Sequence, residues 1–205
     1  MALRPIGTGQ QVGPLRCLGS TLYYWRYLMN QNGWGSRDAP WWYNERASLS
    51  LLAGAVWYAD GWAFEEFVTV KRPGARKRPH HGRGDLMFEI RNHRFVTEAK
   101  QCWPTIGSKP DRAVAIIDKA LSRACEAADQ NRIRTYRAIG LVFVVPYFTS
   151  RSVQERERRI RTLLRCLRLR RSLTLAWAFP GDQRLLRSEK GRYYPGVILI
   201  ATAVR

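Results

Sequence analysis

Two short runs hold the residues best suited to do chemistry. In FVTEAK (95–100), Glu98 and Lys100 are separated by one residue. On a strand, where side chains alternate between faces, they project side by side. Asp85 opens the preceding strand-like run, DLMFEI (85–90), and the RNHR segment between the runs predicts a hairpin turn. A tight register then sets position 85 roughly opposite 100. Two carboxylates and an amine meet at one sheet edge. Such a carboxylate pair suits a hard cation, Mg²⁺ or Mn²⁺, which prefers oxygen ligands and keeps several waters. The cation lowers the pKa of a bound water and neutralises charge on a phosphate. A neighbouring lysine orients or helps deprotonate that water and stabilises the developing charge. These are the parts that phosphodiester hydrolysis needs.

The surroundings of the motif suit a polyanion. The chain of 205 residues carries 35 Lys and Arg against 16 Asp and Glu, a formal charge of +19, which sets up a strong positive field. Most of the cations are Arg, whose fork of donors matches phosphate and can stack on bases, and this favours nucleic acid over a membrane surface. A composition 45% hydrophobic and 12% aromatic is that of a folded chain rather than a disordered one. Cys17, Cys102, Cys125 and Cys166 show neither a CxxC pair nor a His at ligand spacing, so a zinc site is not expected. Cys125 and Cys166 fall in helical apolar patterns and read as buried free thiols, pointing to a reducing compartment. With no apolar leader at the N-terminus and only the nine-residue run 196–204 at the other end, the expectation is a soluble, cytoplasmic protein.

The elements that must position the motif follow from periodicity. Residues 1–20 read as irregular and 21–42 as an aromatic cap containing Trp41 and Trp42. Asn44 can cap a helix over 44–59, with Leu49, Leu52 and Val56 as its apolar stripe. Glu45 opens that helix, where an acid favours the dipole but also points toward whatever the stripe packs on. A strand is expected around Phe67–Val70, then a basic loop over 71–84. Residues 112–129 form an amphipathic helix with Ile117, Ala120, Leu121, Ala124 and Ala128 on one face. The run 138–145 reads as a strand buried on both faces. A helix over 152–170 and strands at 173–179 and 196–204 complete the chain. The result is one α/β domain, a mixed sheet with helices on both sides. It comprises a cap (1–42), a catalytic core (43–148) and a C-terminal helix with strands (149–205).

Helix-borne Glu45, then GRGDLMF with Asp85, then TEAK with Glu98 and Lys100, resembles the PD-(D/E)XK nuclease superfamily over about residues 44–145. The resemblance implies a restriction-endonuclease-like three-layer sandwich with an αβββαβ core. It implies Asp85 and Glu98 as metal ligands, Lys100 as the catalytic lysine, and Glu45 as a further ligand or support of the metal. It also implies an endonuclease, with a homodimer or a partner protein as a common arrangement, and a Gln near the site, for which Gln101 and Gln130 are candidates. Gly84 stands where the superfamily's name has Pro, a change that leaves the acid in place.

Around the motif, Lys71, Arg72, Arg76, Lys77, Arg78 and Arg83 could clamp a phosphate backbone. His80 and His81 could touch phosphate or assist proton transfer, although a His pair in a basic loop is commonly just exposed. Arg158, Arg161, Arg165 and Arg168 form a second stripe, either a nucleic-acid track or a solvent face paired by Glu155 and Glu157. The leading expectation is a metal-dependent deoxyribonuclease, DNA being favoured over RNA. The competing ones are a nucleic-acid-binding subunit whose cutting is weak or needs a partner, and an RNA-cutting toxin or defence effector.

Overall fold

In a computed structural model, residues 6–9, 11–31, 38–72, 78–181 and 186–204 are described. They form an α/β fold around a seven-stranded mixed sheet. The strands are β1 (Ile6–Thr8), β2 (Trp62–Lys71), β3 (His80–Ile90), β4 (His93–Cys102), β5 (Arg137–Val144), β6 (Thr174–Ala178) and β7 (Val197–Ala203). Their spatial order is β1-β6-β7-β5-β4-β3-β2. All neighbours pair antiparallel except β4 with β5, which run parallel. The helix between them, α3 (Asp111–Gln130), provides the crossover that a parallel pair requires. Among the described residues no helix is long and apolar enough to cross a membrane.

Strand alternation sorts the core into two layers. Leu86, Phe88, Ile90, Phe95, Ala99, Ile139 and Leu141 face α1 (Gly19–Met29) and α2 (Glu45–Tyr58). Val142, Val144, Leu175, Trp177, Ile198 and Ile200 face α3 and α4 (Val153–Arg168). The helices therefore cover both faces, and the central strands are apolar on both sides, as 138–145 reads. The periodic stripes are buried where expected: Ile117, Leu121, Ala124 and Ala128 on α3, and Ile160, Leu163, Leu164 and Leu167 on α4. Ala120 is only partly buried. The four cysteines are free. Cys102 is the buried one, its thiol pushed up to about 12 by burial, whereas Cys125 and Cys166 are only half-buried.

Three differences from the sequence reading bear on the site. A short strand, β1, lies within the region expected to be irregular. The hairpin turn is two residues rather than four: Ile90 pairs with His93, and Arg91 and Asn92 have φ of 48° and 62°. Two left-handed central residues make this a type I′ turn, whose twist matches the flanking strands. The tighter turn moves the register, so that one step beyond the last pair, Leu86 with Thr97, Asp85 faces Glu98 rather than Lys100. Finally, β3 begins at His80, so part of the expected loop is a strand paired with β2, while Arg76 and Lys77 lie outside the described residues.

Between Asp85 and His80, β3 leaves β4 and continues as a two-stranded arm with the end of β2, beyond Glu66 at φ 53°. Phe67 of the arm packs with Met87, Val96, Ala128, Ile133 and Tyr136, on the α3 side of the sheet. Gly84 makes this possible, because a Cβ there would stand 2.3 Å from the Phe67 ring. Gly84→Ala is expected to cost about 1–3 kcal/mol by overpacking. Thermal denaturation measures it, and Phe67→Leu in the same chain should recover part of the loss.

Candidate active site

The site is built from one strand pair, one helix start and one helix end. Asn44 caps α2 through its side-chain oxygen, which accepts from the Ala47 N–H at 3.2 Å. The start of α2 is held by Gln101: its Oε1 accepts from Ser48 Oγ at 2.9 Å, and its Nε2 donates to the Tyr43 carbonyl at 2.8 Å. Gln101 thus sets the helix against β4 and brings Glu45 within 3.8 Å of Lys100 Nζ. Lys100 also donates to the Ala99 carbonyl. Across the strands, Asp85 Oδ2 accepts from the Ala99 N–H at 2.7 Å, where the regular ladder has stopped.

Glu98 is the most enclosed member, at 4% exposure. Its Oε1 accepts from Lys71 Nζ at 3.2 Å and from Asn131 Nδ2. Lys71 arrives on the β2–β3 arm, and Asn131 from the residue that ends α3. Helix α3 can lie this close because Gly140, the β5 partner of Glu98, has no side chain: a Cβ would meet Cys125 Sγ at 2.6 Å. Burial first, then the charge of Asp85, pushes the Glu98 carboxyl up to about 7, against the pull of Lys71 and Lys100. Burial also raises Glu45, partly offset by Lys100.

A carboxyl raised on folding favours the fold below its unfolded pKa, near 4.5, and loses that contribution as pH rises through about 7. The metal-free protein is therefore expected to lose stability, on the order of 3 kcal/mol, between pH 5 and 8. Denaturant titrations at those pH values should show the slope in wild type and a much flatter one in Glu98→Gln.

The donor set fits a hard divalent cation on chemical grounds. Asp85 and Glu98 supply carboxylate oxygens close enough for one to raise the pKa of the other, a repulsion that a cation relieves. The Asn131 amide oxygen is buried beside Glu98 and has no hydrogen-bond partner among the described residues, a cost that a cation or a water would remove. Among the described residues no three His, Cys, Asp or Glu side chains form a metal-holding group. Asp85 and Glu98 lie on neighbouring strands, and Glu45 lies next to Lys100 and near enough to Asp85 for that charge to raise its carboxyl.

Other expected residues are distributed differently. Lys71 pairs with Glu98 at 3.2 Å. Arg83 turns to Glu66 at 3.6 Å, which also meets Arg46. His80 and His81 are exposed on the arm, and Arg78 is exposed just before it. It is the Gln130 carbonyl that ties this site together, by accepting from the Arg72 N–H at 2.9 Å. The Arg stripe is not brought to the site: α4 covers β6 and β7, and Arg168 lies over Trp177. Missed in the sequence were Asn131 and a pocket of about 480 Å³ lined by Arg72, Arg132, Arg134, Arg137 and Tyr136. Arg72 and Arg132 directly follow Lys71 and Asn131, the two partners of Glu98. The run NRIRTYR (131–137), basic and just past a helix end, was the available signal.

In comparisons with known proteins, no family model, no curated protein and no solved structure matches this chain.

Proposed function

We propose that this protein is a metal-dependent nuclease of the PD-(D/E)XK type that hydrolyses phosphodiester bonds, DNA being the favoured substrate. The observation that carries this reading is the convergence of Asp85, Glu98, Lys100 and Glu45 where β3 and β4 part. Asp85 is bonded to Ala99, Lys100 lies 3.8 Å from Glu45, and Asp85 perturbs the titration of Glu98. The chain order α2, β2, β3, β4, α3, β5, with three antiparallel strands and a parallel fourth, is that of the superfamily's αβββαβ core, so a restriction-endonuclease-like fold is part of the proposal. The four-arginine pocket next to the partners of Glu98 suits the phosphate backbone on either side of the cut.

In this reading Asp85 and Glu98 hold Mg²⁺ or Mn²⁺. When bound, the ion supplies an acidified water and neutralises charge on the scissile phosphate. The remaining work belongs to side chains. Lys71 and Asn131 hold the Glu98 carboxylate in place, and Ala99 does the same for Asp85 through its N–H. Lys100, partly exposed and flanked by acids, orients the attacking water and stabilises charge as it develops. Glu45, 3.8 Å away, holds the Lys100 ammonium beside the start of α2.

Calorimetric titration with Mn²⁺ tests the metal assignment. One ion should bind to wild type, and Asp85→Asn and Glu98→Gln should each weaken it at least about tenfold. Equal binding by all three proteins overturns it. Salt-sensitive DNA binding without cleavage under any divalent cation would instead favour a binding subunit. Preferential cutting of RNA would move the protein toward a toxin or defence effector.

A further inference from the structure

Beyond the carboxylate site, β4 leads into a second feature. Three residues after Lys100 comes Trp103, 46% exposed despite its size. It lines a pocket of about 480 Å³ with Trp42, Tyr194, Arg187, Ser188, Glu189 and Lys190. That volume falls within the range of about 300–1,000 Å³ typical of ligand clefts. Three aromatic side chains share the pocket with two exposed cations and one exposed acid.

The pocket is mechanically joined to the site. Trp103 is on the same chain segment, about 10 Å beyond Lys100 at the rise of an extended strand. Trp42 precedes Tyr43, whose carbonyl accepts from Gln101, the residue that also sets Glu45 beside Lys100. The Trp42 and Tyr194 rings stand edge to face, 6.2 Å apart, and the Tyr194 carbonyl accepts from Trp41 Nε1 at 3.1 Å. The rings are thus held by the scaffold.

An aromatic pocket edged with cations has two matching features in a nucleotide: a flat base for the rings and a phosphate for Arg187 and Lys190. In a duplex the faces of the bases are hidden in the stack, so only an unpaired base can enter. We infer that the Trp42–Trp103–Tyr194 pocket receives an unpaired nucleobase, and that the substrate enters the cutting site as a single strand or with a frayed or extruded nucleotide. This rests on the nuclease reading for its biological meaning. The pocket itself can be tested without it.

Binding in EDTA, where nothing is cut, isolates the pocket. Fluorescein-labelled oligo(dT) and a duplex of equal length are titrated into wild type, Trp103→Ala, Trp103→Phe and Arg187→Ala. Trp103→Ala should weaken oligo(dT) binding about tenfold, Trp103→Phe should retain most of it, and duplex binding should change less than twofold. Arg187→Ala should lower the salt dependence of single-strand binding by about one phosphate contact, about 0.7 in log K per log salt. Unchanged oligo(dT) binding by Trp103→Ala, equal losses on both nucleic acids, or binding of an acidic peptide in preference to oligo(dT) overturns the inference. Cleavage assays in Mg²⁺ separate the two levels. Cutting that does not depend on Asp85 sinks the nuclease reading, whereas Asp85-dependent cutting of oligo(dT) that Trp103→Ala leaves unchanged sinks only the pocket.

Discussion

Lys100→Met is expected to lower the single-turnover rate of DNA cleavage about 10²–10³-fold while leaving DNA affinity nearly unchanged. The physical reason is local. Lys100 shares a strand face with Glu98, lies 3.8 Å from Glu45 and contacts the Ala99 carbonyl, so its charge sits beside the carboxylates rather than on the outer surface. Methionine keeps most of the length and apolar stem but removes the charge proposed to stabilise the transition state. Affinity changes little because one charge is lost from a chain with a formal charge of +19. Rates from quenched-flow or gel sampling, set against gel-shift affinities of the same protein, separate the two effects. Equal losses in rate and affinity would make Lys100 a phosphate-binding residue instead.

The second large effect concerns stability. Lys71→Ala removes the cation 3.2 Å from a carboxylate that is almost wholly buried. Loss of one partner of a buried pair leaves an uncompensated charge and costs about 3–5 kcal/mol where that charge is retained. Glu98 need not retain it, because burial and Asp85 already push its carboxyl up to about 7. Without Lys71 the carboxyl rises further. Protonation of Glu98 therefore caps the loss at pH 8 at about 1–2 kcal/mol, and only a small loss is expected at pH 5.5, where Glu98 is already protonated in wild type. Urea denaturation of metal-free wild type, Lys71→Ala and Lys71→Ala/Glu98→Gln at both pH values tests this. The double variant should recover most of the loss at pH 8, and an equally large loss at pH 5.5 would mean that Lys71 acts through packing alone.

What the sequence made legible follows from periodicity and local chemistry. Asn44 before an apolar stripe marks the start of α2, and the stripe from Ile117 to Ala128 marks α3, because each is a pattern within one element. Asp85 and Glu98 stand on adjacent strands for the same reason. The register was not legible, since Arg at position 91 is an unusual residue for a left-handed turn position and RNHR reads equally as a four-residue turn. The arm over 80–84 was hidden because a stretch rich in Gly and basic residues has no apolar alternation, and only Gly84 under the Phe67 ring explains its course. Lys71 and Asn131 reach Glu98 across 27 and 33 residues of chain. Tertiary contacts of that length have no local signature. The same holds for the aromatic pocket, whose Trp42, Trp103 and Tyr194 come from three distant segments.

The role of Asp85 at the parting of β3 and β4 is tested by cleavage of end-labelled DNA in Mg²⁺ by wild type and Asp85→Asn side by side. Wild type should cut, EDTA should stop it, and Asp85→Asn, folded to the same melting temperature or higher, should cut at least about 10²-fold more slowly. Equal cutting by the two proteins, or no cutting by wild type on single- or double-stranded DNA with any divalent cation, would contradict the assignment.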